Sequence, residues 1–403
     1  MKLYRNIALG VVDGLERIFD KEEALRPVLS QLLKQNKKWG SRDRRLLGEA
    51  ILDIVRWKRS YSFVGTLKEN SKNYNWELVG VWMLTKGAEL PDWDEFSEIK
   101  GLKITWPLDP LTNALTIRES LPDWLDEMGI EAFGDAIWEK ESHALNSPSS
   151  LVIRCNTLKQ DPIKLQKHLK KEYDIESIQS KEIPETLLLK EHKNLLQNPL
   201  YLQGAFEIQD ANSQRVAHWV NPQKGGTVVD ACAGSGGKSL HLATLMQNKG
   251  IVYAMDPQEN KLEQLLKRAE RNGITSIQVH PHNDVDFFTL HQGKIDAVLI
   301  DAPCSGLGVL RRNPAAKWHM NPEKIKALEI LQQEILHKNA PLVKKEGTLV
   351  YATCSIFPNE NQNQISRFLK TEIGAEFKLI KEQTFLTHQS IFDGFYIAQL
   401  QKI

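Results

Sequence analysis

The carboxyl-terminal half of this 403-residue chain predicts a doubly wound α/β domain built on a mostly parallel sheet. Three observations carry that expectation. Short apolar runs that end in an acid (TVVD, GIVYAMD, IDAVLID) alternate with amphipathic helical stretches. A glycine-rich turn, CAGSGGKS, follows the first of these runs. Upstream of residue 226 the pattern is different, so the sheet domain is expected to span 226–403 only.

The elements follow in order. Eight of the ten tryptophans lie in residues 1–140. Ile7, Val11 and Leu15 share one helical face, and Leu47, Ile51, Ile54 and Val55 share another. Residues 1–140 therefore read as an all-helical domain with large aromatic packing residues. Its most basic stretch, Lys34 to Arg45, holds Lys34, Lys37, Lys38, Arg42, Arg44 and Arg45. It is either a solvated turn or a patch for RNA phosphates. Residues 141–225 contain a strand (SLVIRCNTL), an amphipathic helix (IKLQKHLKKEY), two short strands (LLLK, FEIQD) and a helix from Asn212 to Val220, which suggests a small α/β module. From Gly226 the strands TVVD, GIVYAMD, IQVH, IDAVLIDAP and GTLVYATCS are separated by helices, one of them starting at Pro322 with Asn321 as its cap. FYIAQL near the end is expected to close the sheet.

Composition narrows the function. A hydrophobic content of 41% with 26% charged residues fits a globular protein, and a net charge of +1 leaves any nucleic-acid surface to local patches. No apolar run approaches the ~20 residues of a membrane span, and the first residues lack the pattern of a signal peptide. A cytoplasmic monomer without membrane contact is expected. Cys155, Cys232, Cys304 and Cys354 form no CxxC pair, so neither a disulfide scaffold nor a metal site is expected.

The first strand ends at Asp230 and enters Gly234, Ser235, Gly236, Gly237 and Lys238, a turn that lets backbone approach a ligand. A P-loop would need glycine where Cys232 stands, and a GxGxxG fingerprint starting at Gly234 would end at Ser239. S-adenosylmethionine is the third candidate. Downstream acids support it: Asp256 at the end of the second strand can accept both ribose hydroxyls, Asp284 follows the third strand towards the adenine side, and Asp301 ends the fourth.

DAPCSG (Asp301–Gly306) and ATCS (Ala352–Ser355) end neighbouring strands, and each brings a cysteine to the cofactor face. A thiolate has a specific use there. C5 of cytosine is a poor nucleophile, but addition of a thiolate to C6 turns the ring into an enamine that attacks an electrophilic methyl.

With these motifs in view, the chain resembles the Fmu/Sun family of RNA cytosine-C5 methyltransferases. The resemblance rests on DACAGSGGKS, AMDPQENKLEQL, His282 to Asp284, DAPCSGLGVLRRNPAAKW, GTLVYATCSIFPNEN and DGFYIA. It implies a Rossmann-like class I methyltransferase domain, S-adenosylmethionine as cofactor and RNA as partner. It further implies that Cys354 is the nucleophile, that Cys304 assists product release, and that Asp301 contacts the cytosine edge and the cofactor region. Cys232, Ala233, Gly234, Ser235, Gly236, Gly237, Lys238, Asp256 and Asp284 match the family's cofactor contacts, with Lys238 also close to the reacting centre. Ser235 stands where proline is common in the family, and Cys155 where valine is common. The amino-terminal helices resemble the NusB-like domain of the members that act on small-subunit (16S) ribosomal RNA, and 141–225 resembles an RNA-recognition-like extension. Arg311, Arg312 and Lys317 are candidates for holding RNA phosphates. The rival readings are the same chemistry on transfer RNA or large-subunit RNA, and a non-catalytic RNA-binding assembly factor.

Overall fold

The protein is described by a computed structural model that covers residues 3–109, 113–191 and 193–403. The chain divides into two compact units. One runs to Ser147 and also takes in Leu310–Pro322; the other comprises Pro148–Val309 and Glu323–Ile403.

The first unit is helical. Its main helices are Arg5–Phe19, Leu25–Gln35, Ser41–Gly65, Tyr74–Thr85, Asp123–Phe133 and Asp135–Asn146. The faces read from the sequence are the ones that pack: Ile7, Val11 and Leu15 lie in one buried cluster with Leu47, Ile51, Ile54 and Val55. Trp82 and Trp138 are fully buried, and their indole N–H groups donate to Asp53 and Asp126 at 3.1 and 2.7 Å. A buried indole keeps its polar atom satisfied in this way. Helix Asp135–Asn146 runs across the expected boundary at residue 140, so the division falls at Ser147.

The second unit contains two sheets. The small one is antiparallel, in the order β2-β3-β1-β4, with β1 at Val152–Cys155, β2 at Ser177–Gln179, β3 at Thr186–Leu189 and β4 at Phe206–Ile208. The helix Pro162–Tyr173 covers it. Asp161 caps that helix by accepting from the backbone N–H groups of Ile163 and Lys164, with Pro162 at the first position. Strand β2 was not expected from the sequence.

Among the described residues the large sheet has seven strands: β5 Thr227–Asp230, β6 Ile251–Met255, β7 Ile277–His280, β8 Ile295–Asp301, β9 Val343–Thr353, β10 Phe377–Phe385 and β11 Phe395–Lys402. Their order is β10-β11-β9-β8-β5-β6-β7. Strands β5 to β9 pair in parallel, and β11 pairs antiparallel with both β9 and β10. The last strand therefore lies inside the sheet, and the unexpected β10 forms the edge. Alternation along a strand sends neighbours to opposite layers. Val228 packs with Leu240, Leu265 and Leu299 on one face, and Val229 with Ile300, Leu336 and Tyr351 on the other. The architecture is the Rossmann-like α/β arrangement expected. Strand order reverses beside β5, where β6 and β8 flank it, and a ligand crevice opens there at the carboxyl ends.

No helix among the described residues is long and apolar enough to cross a membrane.

Candidate active site

A cavity of about 550 Å³ lies at the carboxyl ends of β5, β6 and β8. Cys232 and Gly234 line it from the first loop, Asp256 and Asp301 from two strand ends, and Leu331 and Ile335 from the helix Pro322–Asn339. The loop is shaped by its glycines. Gly236 has φ +88°, and a Cβ there would lie 2.5 Å from Leu265 Cγ, so no other residue fits that turn without displacing the helix Glu259–Asn272. Arg268 ties the loop from outside by donating to the Ser235 backbone oxygen at 2.6 Å.

The Asp256 side chain holds the turn from inside. One oxygen accepts from Gly234 N at 3.0 Å and the other from Gln258 N at 2.8 Å. The carboxylate is buried yet borders the cavity. Asp301 accepts from the Lys238 ammonium at 2.5 Å. Burial opposes the charge of Lys238, but Asp301, with Cys354 and Asp230 beyond it, holds the ammonium above the ordinary lysine value. Asp230 is buried against this group; desolvation pushes its carboxyl up to about 7, and the Asp301 charge adds to the shift.

Cys304 and Cys354 approach to 3.3 Å between Sγ atoms, and all four cysteines are free thiols. The approach depends on Gly308. Its N–H donates to the Cys354 carbonyl at 2.9 Å, and a Cβ there would meet that carbonyl oxygen at 2.7 Å and Gly394 O at 2.4 Å. The Cys304 thiol is held well above the usual thiol range, first by its hydrogen bond to Cys354 and then by burial. Cys155 is a buried residue of the small sheet, and desolvation pushes its thiol up to about 12.

Comparison with known proteins adds the family. Residues 217–401 match the family described as 16S rRNA methyltransferase RsmB/F, and residues 121–195 match the ferredoxin-like domain of RsmF/B-like methyltransferases. A probable ribosomal RNA small subunit methyltransferase B of Synechocystis is 36% identical over 311 residues, which is 73% of this chain and 70% of that protein. The probable enzyme of the same description from Bacillus subtilis is 33% identical over 315 residues, 73% and 69% of the two chains. The chain belongs to the RsmB/F methyltransferase family. A methyltransferase homologue from Pyrococcus horikoshii has a similar solved structure, with a TM-score of 0.64, 26% identity, and coverage of 73% of this chain and 100% of that one.

S-adenosylmethionine is the methyl donor of the RsmB/F family, and this cavity suits it. A buried carboxylate at the end of β6 offers acceptors for a diol, and an apolar wall faces it. The expected contacts divide in two. Cys232, Gly234, Asp256 and Asp301 line the cavity, whereas Ala233, Ser235 and Gly236 belong to the turn without lining it, and Gly237 and Lys238 open the helix Gly237–Leu245. Among the described residues the lining takes His282 rather than Asp284. Asp284 instead caps the helix Val285–His291 by accepting from Phe287 N at 3.1 Å.

Two residues read as phosphate contacts need correction. Lys317 is fully buried within the helical unit, and its ammonium donates to Arg56 O at 2.8 Å. Arg311 is also buried, and its carbonyl accepts from Arg56 at 2.9 Å. Both brace the helices, while Arg312 stays half-exposed. Within the basic stretch, Arg44 donates to the carbonyls of Leu33 and Trp39, whereas Lys34, Lys37, Lys38 and Arg42 are exposed.

Three features escaped the sequence reading. Glu360 accepts from Ser305 N and Oγ, next to Cys304, at 2.8 and 2.5 Å. Asn361 accepts from Thr353 Oγ1 at 2.6 Å and donates to Ser355 O at 3.0 Å, on either side of Cys354. Adjacent residues thus hold the two cysteine loops; PNEN follows ATCS closely enough to have suggested it. Separately, Glu185, His218 and His241 bring ligand-type atoms within 4.8 Å of one another, a set that could hold a metal ion although none was expected. Both imidazole Nε2 atoms lie against one Glu185 oxygen, at 2.5 and 2.6 Å, so hydrogen bonds alone also account for it.

Proposed function

We propose that this protein methylates C5 of a cytosine in RNA, with small-subunit ribosomal RNA as the substrate, through a covalent bond between Cys354 and C6. The observation that carries the reading is the pair of thiols 3.3 Å apart beside the Lys238–Asp301 ion pair. S-adenosylmethionine, when bound, supplies an electrophilic methyl group. Asp256 would hold its ribose, and the cavity wall would exclude water from it.

The rest is the work of the chain. Cys354 forms an S–C6 bond, and the C5–C6 π electrons become available at C5. The Lys238 ammonium, ion-paired with Asp301, is held in its charged form near the attacking sulfur. C5 is bonded to C6, so a base touching the attacking sulfur is within reach of the C5 proton. Cys304 meets that requirement. Once C5 carries the methyl group, Cys304, having given up its own proton to water, takes the C5 proton; the C5–H electron pair re-forms the C5–C6 double bond, the S–C6 bond breaks, and Cys354 leaves as thiolate.

The RNA assignment draws on the names of the relatives, both described as probable ribosomal RNA small subunit methyltransferases. A NusB-like role for the helical unit, with Lys37, Lys38 and Arg42 facing phosphates, belongs to the same proposal. So does a cytoplasmic site of action.

The test separates the two cysteines. Cys354→Ala should abolish transfer of a tritiated methyl group and form no adduct. Cys304→Ala should methylate once and stall, giving a protein–RNA species that survives denaturing electrophoresis and requires S-adenosylmethionine. Accumulation of the adduct in Cys354→Ala would reverse the roles. Full activity of both variants without adduct would end the covalent reading.

A further inference from the structure

Nothing in the cysteine pair itself decides which thiol attacks. Each ends a strand, each is followed by serine, and at 3.3 Å they share one hydrogen bond in which either sulfur can donate. The asymmetry lies around them. Glu360 is fully buried, and both of its oxygens are fixed against the residue after Cys304: one accepts from Ser305 N at 2.8 Å, the other from Ser305 Oγ at 2.5 Å. Gln332 adds a third donor at 3.1 Å. The charge of Cys354 is in turn one of the influences that hold the Lys238 ammonium above the ordinary lysine value, after that of Asp301.

We propose that Glu360 is a positioning residue whose carboxylate keeps the proton of the pair on Cys304, leaving Cys354 as the attacking thiolate. The proposal rests on Cys354 being the nucleophile. A fixed negative charge beside the Cys304 loop makes a thiolate costly there and a thiol cheap. Cys304 is held in its protonated form by the bond to Cys354 first, then by burial, then by the charges of Cys354 and Glu360. Tyr351 also faces Cys304. It is buried, donates its hydroxyl to the Glu360 backbone oxygen at 2.7 Å, and burial keeps it neutral. The charged groups around the pair are Glu360 at the Cys304 loop and Lys238, itself ion-paired with Asp301 and close to Asp230.

Limiting iodoacetamide on the full chain, followed by peptide mass spectrometry across a pH series, reads where the thiolate is. Wild type should label Cys354 ahead of Cys304. Glu360→Gln keeps the shape and removes the charge; the Cys354-to-Cys304 ratio should fall about tenfold, the factor of one pH unit in a proton's position. Glu360→Met gives the same reading if the amide disturbs folding. Ser305→Ala keeps the carboxylate on Ser305 N and Gln332, and the ratio should stay within about twofold of wild type. An unmoved ratio in the charge-free variants, an equal shift in Ser305→Ala, or preferential labelling of Cys304 in wild type would each overturn the proposal. Full activity of Cys304→Ala and Cys354→Ala with no trapped RNA in either would end the covalent reading instead. An intact trap with an unmoved label would remove only the role of Glu360.

Discussion

Asp256 offers a direct measure of the cofactor site. Its two oxygens accept from Gly234 N at 3.0 Å and Gln258 N at 2.8 Å, and the same carboxylate borders the cavity. Asp256→Ala therefore does two things. It removes the charge-assisted contact proposed for the ribose, about 1.5–3 kcal/mol, or roughly 10- to 150-fold in affinity. It also leaves two backbone N–H groups without their acceptor, about 1 kcal/mol each, felt by the fold whether or not a ligand is present. Asp256→Asn separates these effects, because the amide oxygen retains one backbone bond while the charge is lost. Calorimetric titration with S-adenosylmethionine should show at least a tenfold loss for both variants. The thermal midpoint without ligand should fall further for alanine than for asparagine. Affinity within threefold of wild type in both would refute the assignment. A loss seen only in alanine, matched by a fall in midpoint, would make Asp256 a brace of the turn and not a ribose ligand.

Two further predictions concern packing and charge. Gly308→Ala would press a methyl group against two carbonyl oxygens that cannot rotate away, so a loss of roughly 1–3 kcal/mol is expected together with reduced methyl transfer, and an unchanged thermal midpoint would contradict the close approach. Lys317 is held well below the usual lysine value, chiefly by burial and then by Arg56. The unfolded chain binds its proton more tightly, so this residue's contribution to stability is complete above about pH 10.5, the ordinary lysine value, and is lost as pH falls through the folded value. Wild type should thus gain stability relative to Lys317→Met as pH rises from about 7 to about 10. Parallel pH curves would show that the ammonium is not desolvated.

The parts of the fold legible in sequence are those whose signal is local. Strands β5, β6, β8 and β9 are apolar runs that end where a loop must carry an acid, a glycine or a cysteine, and buried parallel strands read in this way. Strand β10 was missed because FKLIKEQTF keeps most of its side chains in solvent, so its edge position erases the apolar run. Strand β2 has three residues, too few for a period to register. The position of Asp256 at the cavity and the meeting of Cys304 with Cys354 were legible because strand ends in a doubly wound sheet gather along one edge, although neither of these cysteines lines the cavity. The proximity of Glu185 to His218 and His241 was not, since 33 and 56 residues separate them from it along the chain.

The segment after the DAPCSG loop shows where local reading misleads. Arg311, Arg312 and Lys317 look like a basic loop because sequence records charge and not environment. In the structure the chain leaves the large-sheet unit at Val309, folds with the helices through Pro322, and returns at Glu323. Ala315 joins the buried helical cluster, and Trp318 donates to Val55 O at 2.6 Å. The lysine ammonium answers carbonyls that would otherwise be buried without a donor, a need no local pattern expresses. A consequence follows for dissecting the protein. Deleting residues 1–140 would strip Leu310–Pro322 of its core only six residues after Cys304, so lost methylation in such a truncation would not separate RNA binding from damage to the Cys304 loop. Charge reversal at the exposed Lys37, Lys38 and Arg42 leaves that segment packed, and so isolates the contribution of the helices to RNA binding.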